Sequence, residues 1–161
     1  MLFRSGIAAV TSWTLGTAAG PDSLTATAGS VGVTGSPVTF TATATAGAAS
    51  LLVLSSGNGQ SAVAGSPVAV EPAVSVEDQY GNPVAGASVA FTVTSGGGSV
   101  TGSPATSSGS GVATVGSWTL GSTAGSNTLE ATIVGNPSVS GTFTATGTAG
   151  AAAKIALDGG K

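Results

Sequence analysis

The sequence predicts an all-β protein made of tandem β-sandwich repeats, and three observations lead to this prediction. Apolar and hydroxyl residues alternate with a period of two over residues 39–45, 88–94 and 142–146, a pattern typical of strands with one buried face. Glycine accounts for 27 of the 161 residues, and together with proline it interrupts the chain so often that short strands joined by turns are favoured. The third observation is an internal repeat.

The internal repeat relates the front of the chain to its rear. Ser-Trp-Thr-Leu-Gly at residues 12–16 recurs at 117–121, an offset of 105 residues. Phe-Thr-Ala-Thr at residues 40–43 recurs at 143–146, an offset of 103 residues. The first copy therefore carries two extra residues in the turn before its last strand.

The offset also fixes where each repeat begins. Residues 48–54 match 151–157 at the same offset of 103, so a repeat of about 103 residues begins near residue 48. We predict one complete sandwich over residues 48–150. Residues 1–47 would be the last three strands of an incomplete preceding repeat, and residues 151–161 the first strand of a further one.

Within the complete repeat, the pattern predicts seven short strands, near residues 50–54, 68–70, 73–78, 87–94, 112–119, 127–133 and 140–147. Seven strands in a unit of about 100 residues are typical of a sandwich of two antiparallel sheets. A β-solenoid is the alternative, but its coils repeat every ~20–30 residues and the sequence shows no such shorter period.

A turn motif and the segments that follow it resemble a known family. Asp-Gln-Tyr-Gly-Asn-Pro-Val-Ala-Gly at residues 78–86, with residues 89–93, 109–115, 124–125 and 129–131, resembles the bacterial immunoglobulin-like domains of the invasin/intimin type, group 1. The resemblance implies an immunoglobulin-like β-sandwich in tandem, rod-like, extracellular or cell-surface modules. It supplies no catalytic residues, and these 161 residues include no tip segment of the lectin or catalytic kind.

Composition excludes several classes of function. The chain has no cysteine and no histidine, so it has no thiol nucleophile, imidazole base, disulfide or common zinc site. Its cations are Arg4, Lys154 and Lys161, too few for the basic face that nucleic acid requires. No apolar run approaches the ~20 residues of a membrane span. We expect a non-enzymatic protein without cofactor, metal, nucleic-acid partner or membrane insertion.

Two pairs of residues have both a structural and a functional interpretation. Trp13 and Trp118 recur in register, and we interpret them as core residues, because a Trp ring buries roughly 150–250 Å². A sugar-stacking platform is the alternative, which makes carbohydrate a partner without further support. We interpret Asp78 as the cap of a turn. Calcium binding with Asn82 is the alternative, but it needs about six to eight oxygen ligands and carboxylates are scarce.

The incomplete ends of the chain predict a partner-binding surface. Four large residues of the front repeat would lack a covering sheet: Trp13, Leu15, Leu24 and Phe40. At the other end, Ile155 and Leu157 alternate in a strand without a sheet. One hypothesis is strand addition between copies, head to tail, which builds a fibre. The alternative is a spacer or stalk fragment of a bacterial adhesin whose binding role lies elsewhere in the full protein.

Overall fold

The computed structural model describes residues 9–29 and 34–152 of the chain, which divides into two compact units, Met1–Ala46 (unit 1) and Gly47–Lys161 (unit 2). Every regular element in these described residues is a β-strand. The prediction of an all-β protein is therefore confirmed. In the described residues, no helix is long and apolar enough to cross a membrane.

Unit 1 contributes two described strands, β1 (Gly20–Ala26) and β2 (Val38–Ala44), which form an antiparallel hairpin. The described part of unit 2 contains ten strands: β3 (Leu51–Ser56), β4 (Gln60–Val63), β5 (Ala73–Glu77), β6 (Ser88–Ser95), β7 (Gly98–Thr101), β8 (Ala105–Thr106), β9 (Val112–Thr114), β10 (Ser117–Leu120), β11 (Gly125–Ile133) and β12 (Asn136–Thr148). Their lengths suit a sequence punctuated so often by glycine and proline.

The strands of unit 2 form three sheets. A five-stranded sheet has the order β4-β12-β11-β6-β8, a three-stranded sheet has the order β3-β5-β9, and β7 pairs with β10. Every pair is antiparallel except β4 with β12, which is parallel. Apolar side chains of both larger sheets join in one core cluster, as expected of a β-sandwich.

The core of unit 2 follows the period-two pattern of its strands. Leu129, Ala131 and Ile133 of β11 are buried, and the residues between them are partly exposed. Phe143 of β12 packs against Phe91 of β6, with ring centroids 6.3 Å apart and an interplanar angle of 36°. Such a tilted pair is a favourable aromatic geometry.

Two of the predicted strands of unit 2 are wrong in detail. No strand forms at residues 68–70, because the side-chain amide of Gln60 occupies the backbone of Val70, donating to its carbonyl at 2.7 Å and accepting from its N–H at 2.8 Å. The predicted strand at 112–119 is two strands, β9 and β10. The chain changes sheet between them, where Val115 N–H donates to Pro72 and Gly116 N–H donates to Thr101.

The prediction of three strands in residues 1–47 is also wrong for the part that the structure describes. Residues 12–16 repeat the sequence of β10, but they form no strand. In unit 2, β10 is held by β7, and the described residues of unit 1 contain no counterpart of β7. A strand needs a paired neighbour for its backbone groups, so the repeated sequence alone does not produce one.

The β1–β2 hairpin nevertheless repeats the β11–β12 hairpin in detail. Leu24 lies opposite Phe40, as Leu129 lies opposite Phe143. The N–H of Gly16 donates to the Asp22 carboxylate at 3.0 Å, and at the equivalent place Gly121 N–H donates to the Asn127 amide oxygen at 3.0 Å. The sequence repeat is therefore a structural repeat, in register and in capping. The two hairpins differ in what covers them.

Alanine at the two equivalent glycines tests this difference. A Cβ at Gly121 would collide with the backbone of Gly96, whereas a Cβ at Gly16 would meet only Asp22 carboxylate oxygens, at 3.7 and 3.8 Å. We expect Gly121→Ala to lower the free energy of unfolding by roughly 2–4 kcal/mol, and Gly16→Ala by less than about 1 kcal/mol. Urea denaturation followed by near-ultraviolet circular dichroism measures both. Equal losses would contradict the assignment of an uncovered hairpin.

Candidate interaction site

The most distinctive surface of unit 1 is an apolar groove of about 470 Å³. It is lined by Ala9, Val10, Trp13, Leu24, Thr25, Ala26, Phe40 and Thr41. None of these side chains carries a charge, so the groove suits an apolar partner better than an ion or a polar metabolite. We call this surface the unit 1 groove.

The structure brings three of the predicted partner-binding residues into the unit 1 groove: Trp13, Leu24 and Phe40. Leu15 is half-buried and lies outside the lining of the groove. Ile155 and Leu157 lie outside the described residues. Their role in partner binding therefore stays a prediction.

Exposure separates the groove residues from their counterparts in unit 2. Phe40 is 52% exposed, whereas its counterpart Phe143 is 0% exposed. Trp13 is half-buried, whereas its counterpart Trp118 is 0% exposed. Val10, which sequence reasoning did not single out, is 68% exposed at the rim. Side chains of the core type thus face solvent in unit 1.

The hairpin of unit 1 also has open edges. In the described residues, β1 and β2 pair only with each other. In unit 2, the outer edge of β11 carries β6 and the outer edge of β12 carries β4. Unpaired edge groups are a template for an added strand, so the unit 1 groove is bordered by backbone that can accept one.

Asp78 caps a turn, as the sequence predicts. Its Oδ1 accepts hydrogen bonds from the N–H groups of Tyr80 at 2.8 Å and Asn82 at 3.0 Å. Its Oδ2 accepts from the Asn82 side-chain amide at 2.9 Å and from the N–H of Gly47 at 2.8 Å. These hydrogen bonds, led by that of the Asn82 side chain and then that of Gly47, hold the pKa of Asp78 well below its usual range.

The turn at Asp78 therefore also fastens the first residue of unit 2, Gly47, to the sandwich. Both carboxylate oxygens are engaged by donors of the protein itself. Among residues 9–29 and 34–152, no group of three or more acidic side chains gathers in a way that could hold a metal ion.

Trp118 lies in the core of unit 2, as the sequence predicts. Its indole is fully buried, and its Nε1 has no hydrogen-bond partner among the described residues. A buried ring cannot offer a face to a sugar, so Trp118 is not a stacking platform. Its counterpart Trp13, which the sequence also predicts as a core residue, is half-buried and lines the unit 1 groove.

Solved structures with a similar fold come from bacterial surface proteins. The Escherichia coli adhesin FdeC is 20% identical, and the match covers 73% of this chain and 38% of that chain with a TM-score of 0.54. Invasin, described as a bacterial integrin-binding protein, is 25% identical over 82% of this chain and 25% of its own, with a TM-score of 0.47. The D00-D0 domain of intimin is 18% identical over 70% and 56%, with a TM-score of 0.47.

The similarity to FdeC shows the fold. The chain carries an immunoglobulin-like β-sandwich of the kind found in bacterial adhesins, and the resemblance predicted from residues 78–86 is confirmed at the level of fold. The chain spans 38% of the length of the FdeC structure. No protein-family model and no curated protein sequence matches the chain.

The Asp78 turn predicts a pH dependence. A carboxyl group whose pKa is lowered in the folded state stabilises that state above its unfolded pKa of about 3.9 and loses this contribution as the pH falls below it. We expect Asp78→Asn to be less stable than the wild type at pH 7. The difference in unfolding free energy between the variant and the wild type should become smaller below about pH 4. Urea midpoints at pH 7 and pH 3 measure it, and a difference independent of pH would contradict the role of the carboxylate.

The two equivalent phenylalanines form a matched pair. Phe143→Ala should cost about 3–5 kcal/mol of unfolding free energy, because it leaves a cavity in the core. Phe40→Ala should change the stability of the isolated chain by less than about 1 kcal/mol, because the side chain is largely solvated. Urea denaturation at low protein concentration tests both. A large loss from Phe40→Ala in a monomeric chain would show that the groove is already covered.

Proposed function

We propose that this chain is a non-enzymatic structural module of an extracellular or cell-surface protein, and that it joins like modules head to tail by strand addition at unit 1. The supporting observation is the unit 1 groove, in which Trp13, Leu24 and Phe40 are exposed or half-buried. Their counterparts in unit 2 are wholly buried. The fold shared with an adhesin supports the surface location.

The energetic argument concerns the groove residues and the edges together. Burial of a large apolar side chain contributes ~1.5–3 kcal/mol, so covering Trp13, Leu24 and Phe40 would offset much of the entropy that association costs. An added strand would also pair backbone groups at edges where β1 and β2 have no other strand partner among the described residues. Apolar burial and backbone pairing thus favour the same kind of partner, an extended segment with alternating apolar residues.

The segment at residues 151–161 has this character. Ile155 and Leu157 repeat Leu52 and Leu54 of β3 at the offset of 103 residues. Each copy carries one such segment and one unit 1 groove. A contact between the front of one copy and the rear of the next does not close on itself, so it builds a fibre.

A spacer within a longer adhesin is the second candidate function. The repeat phasing favours it, because one complete sandwich lies between parts of two further repeats. In tandem arrays, neighbouring repeats complete one another along a single chain. The two candidates differ in whether the isolated chain associates.

Removing residues 151–161 tests the proposal. The intact chain should form fibres visible by negative-stain electron microscopy and concentration-dependent species in sedimentation velocity, and the truncated chain should be monomeric. Urea denaturation of both chains shows whether unit 2 keeps its stability. An intact chain that stays monomeric at high concentration would contradict assembly and support the spacer.

A matched pair of variants controls for charge. Ile155→Asp with Leu157→Asp lowers the net charge by two, and so does Lys154→Asp alone. We expect the first variant to associate at least about tenfold more weakly than the wild type, since two buried apolar groups are lost. Lys154→Asp should assemble nearly as well as the wild type. Equal weakening by both would show that charge, not apolar burial, governs association.

A further inference from the structure

The strand pairing within unit 2 indicates how another strand would add to the outer edge of β1 in unit 1. Within the described chain, β1 pairs with β2 and with no other strand. Its structural counterpart β11 has a second partner, the antiparallel strand β6. The equivalent edge of β1 therefore has a known pairing direction.

Near its start β1 carries Pro21 and Asp22, residue types that protect an edge, but the stretch that follows them lacks such protection. Residues 23–29, Ser-Leu-Thr-Ala-Thr-Ala-Gly, contain no charge and no proline. Natural edge strands commonly carry lysine, proline or a bulge that prevents pairing with another chain. Leu24, Thr25 and Ala26 are moreover three consecutive lining residues of the unit 1 groove, so an added strand would lie against the apolar surface.

The β6–β11 pair supplies the register. Leu129 lies opposite Val93, and Ala131 lies opposite Phe91. In the second of these pairs, a large residue of β6 therefore lies opposite a small residue of β11. Val93 and Phe91 both belong to the core cluster or pack against it, so this alternation points inward.

We infer that the segment 151–158 of a second copy adds to the β1 edge antiparallel, with Leu157 opposite Leu24 and Ile155 opposite Ala26. This inference rests on the proposed head-to-tail assembly and specifies its edge, direction and register. Leu157 takes the place that Val93 has in unit 2, and Ile155 takes that of Phe91.

The sequence of the added segment suits this place. Ile155 and Leu157 alternate onto one face of an extended strand, and Lys154 and Asp158 fall on the other, solvent face. The eight residues of this segment span roughly 26 Å when extended, which is enough to pair along the seven-residue strand β1. The apolar face thus meets the groove without burying a charge.

The β2 edge is a poorer place for the same segment. Its counterpart in β12 pairs with β4 through four residues, Ala145 to Thr148, and in parallel. The β11–β6 pairing includes six residues of β11, from Thr128 to Ile133, and is antiparallel, the slightly more stable arrangement per residue. The longer antiparallel place is therefore favoured.

Cysteine cross-linking tests the register on a background free of native cysteine. Thr25 corresponds to Glu130, which lies opposite Thr92, so the inferred register places Ala156 opposite Thr25. Full-length Thr25→Cys is mixed with full-length Ala156→Cys that carries a tag altering its mass, under mild oxidation. We expect a mixed disulfide dimer on non-reducing gels, with a yield at least about fivefold above that of the mismatched pair below.

Matched pairs give the controls. Thr27→Cys should cross-link poorly to Ala156→Cys. Residue 27 lies two positions along the chain from residue 25, so its distance to residue 156 would be too long for a disulfide. Thr92→Cys with Glu130→Cys in one chain should form an internal disulfide and reports that oxidation is effective.

The remaining outcomes separate the inference from the proposed function. Cross-linking of Ala156→Cys to Thr43→Cys on β2, rather than to Thr25→Cys, would overturn the inferred edge and leave head-to-tail assembly standing. Fibres that form without any Thr25 cross-link would overturn the inference in the same way. A chain that is monomeric and forms no cross-link would overturn the assembly together with its register.

Discussion

The burial of an aromatic and aliphatic cluster between two sheets is the interaction on which unit 2 depends. Trp118, Leu129 and Phe143 are fully buried, and all three come from the last third of the repeat. Val74 and Val76, which belong to the same core cluster but to the three-stranded sheet, come from the part before it. A sheet with one apolar face needs a second layer, so neither part of the repeat can bury this cluster by itself.

Unit 1 separates what is local in this fold from what is not. Its hairpin has the register and the glycine cap of the β11–β12 hairpin, because both depend on residues within a few tens of positions. The burial of Phe40 depends on residues far away in a complete repeat, and Phe40 is exposed. The hairpin therefore keeps its local structure without a covering layer, and its apolar face is left exposed.

Sequence reasoning succeeds where structure is local and fails where pairing decides. Period-two alternation and the repeat predict the hairpin strands and the core role of Trp118, and the residue types of the turn motif predict the cap at Asp78. These patterns do not predict β7 or the sheet change at Val115 and Gly116, because β7 begins within the glycine run at residues 96–98 and is defined by its partner β10. The sequence also does not predict the groove residue Val10, because no periodic pattern includes it and its position depends on the fold.

The sequence contains unequal numbers of the front and rear parts of the repeat, and this inequality limits which segments can cover unit 1. These 161 residues contain two rear hairpins, β1–β2 and β11–β12, but one front part, residues 48–110, to cover them. Exchange of front parts between copies would cover one hairpin by uncovering another, so swapping alone yields no net burial. The segment after residue 150 is the one repeat element left over in each copy. In the proposed assembly, that segment would therefore supply the net apolar burial between copies, which is why its two apolar residues are central to the proposal.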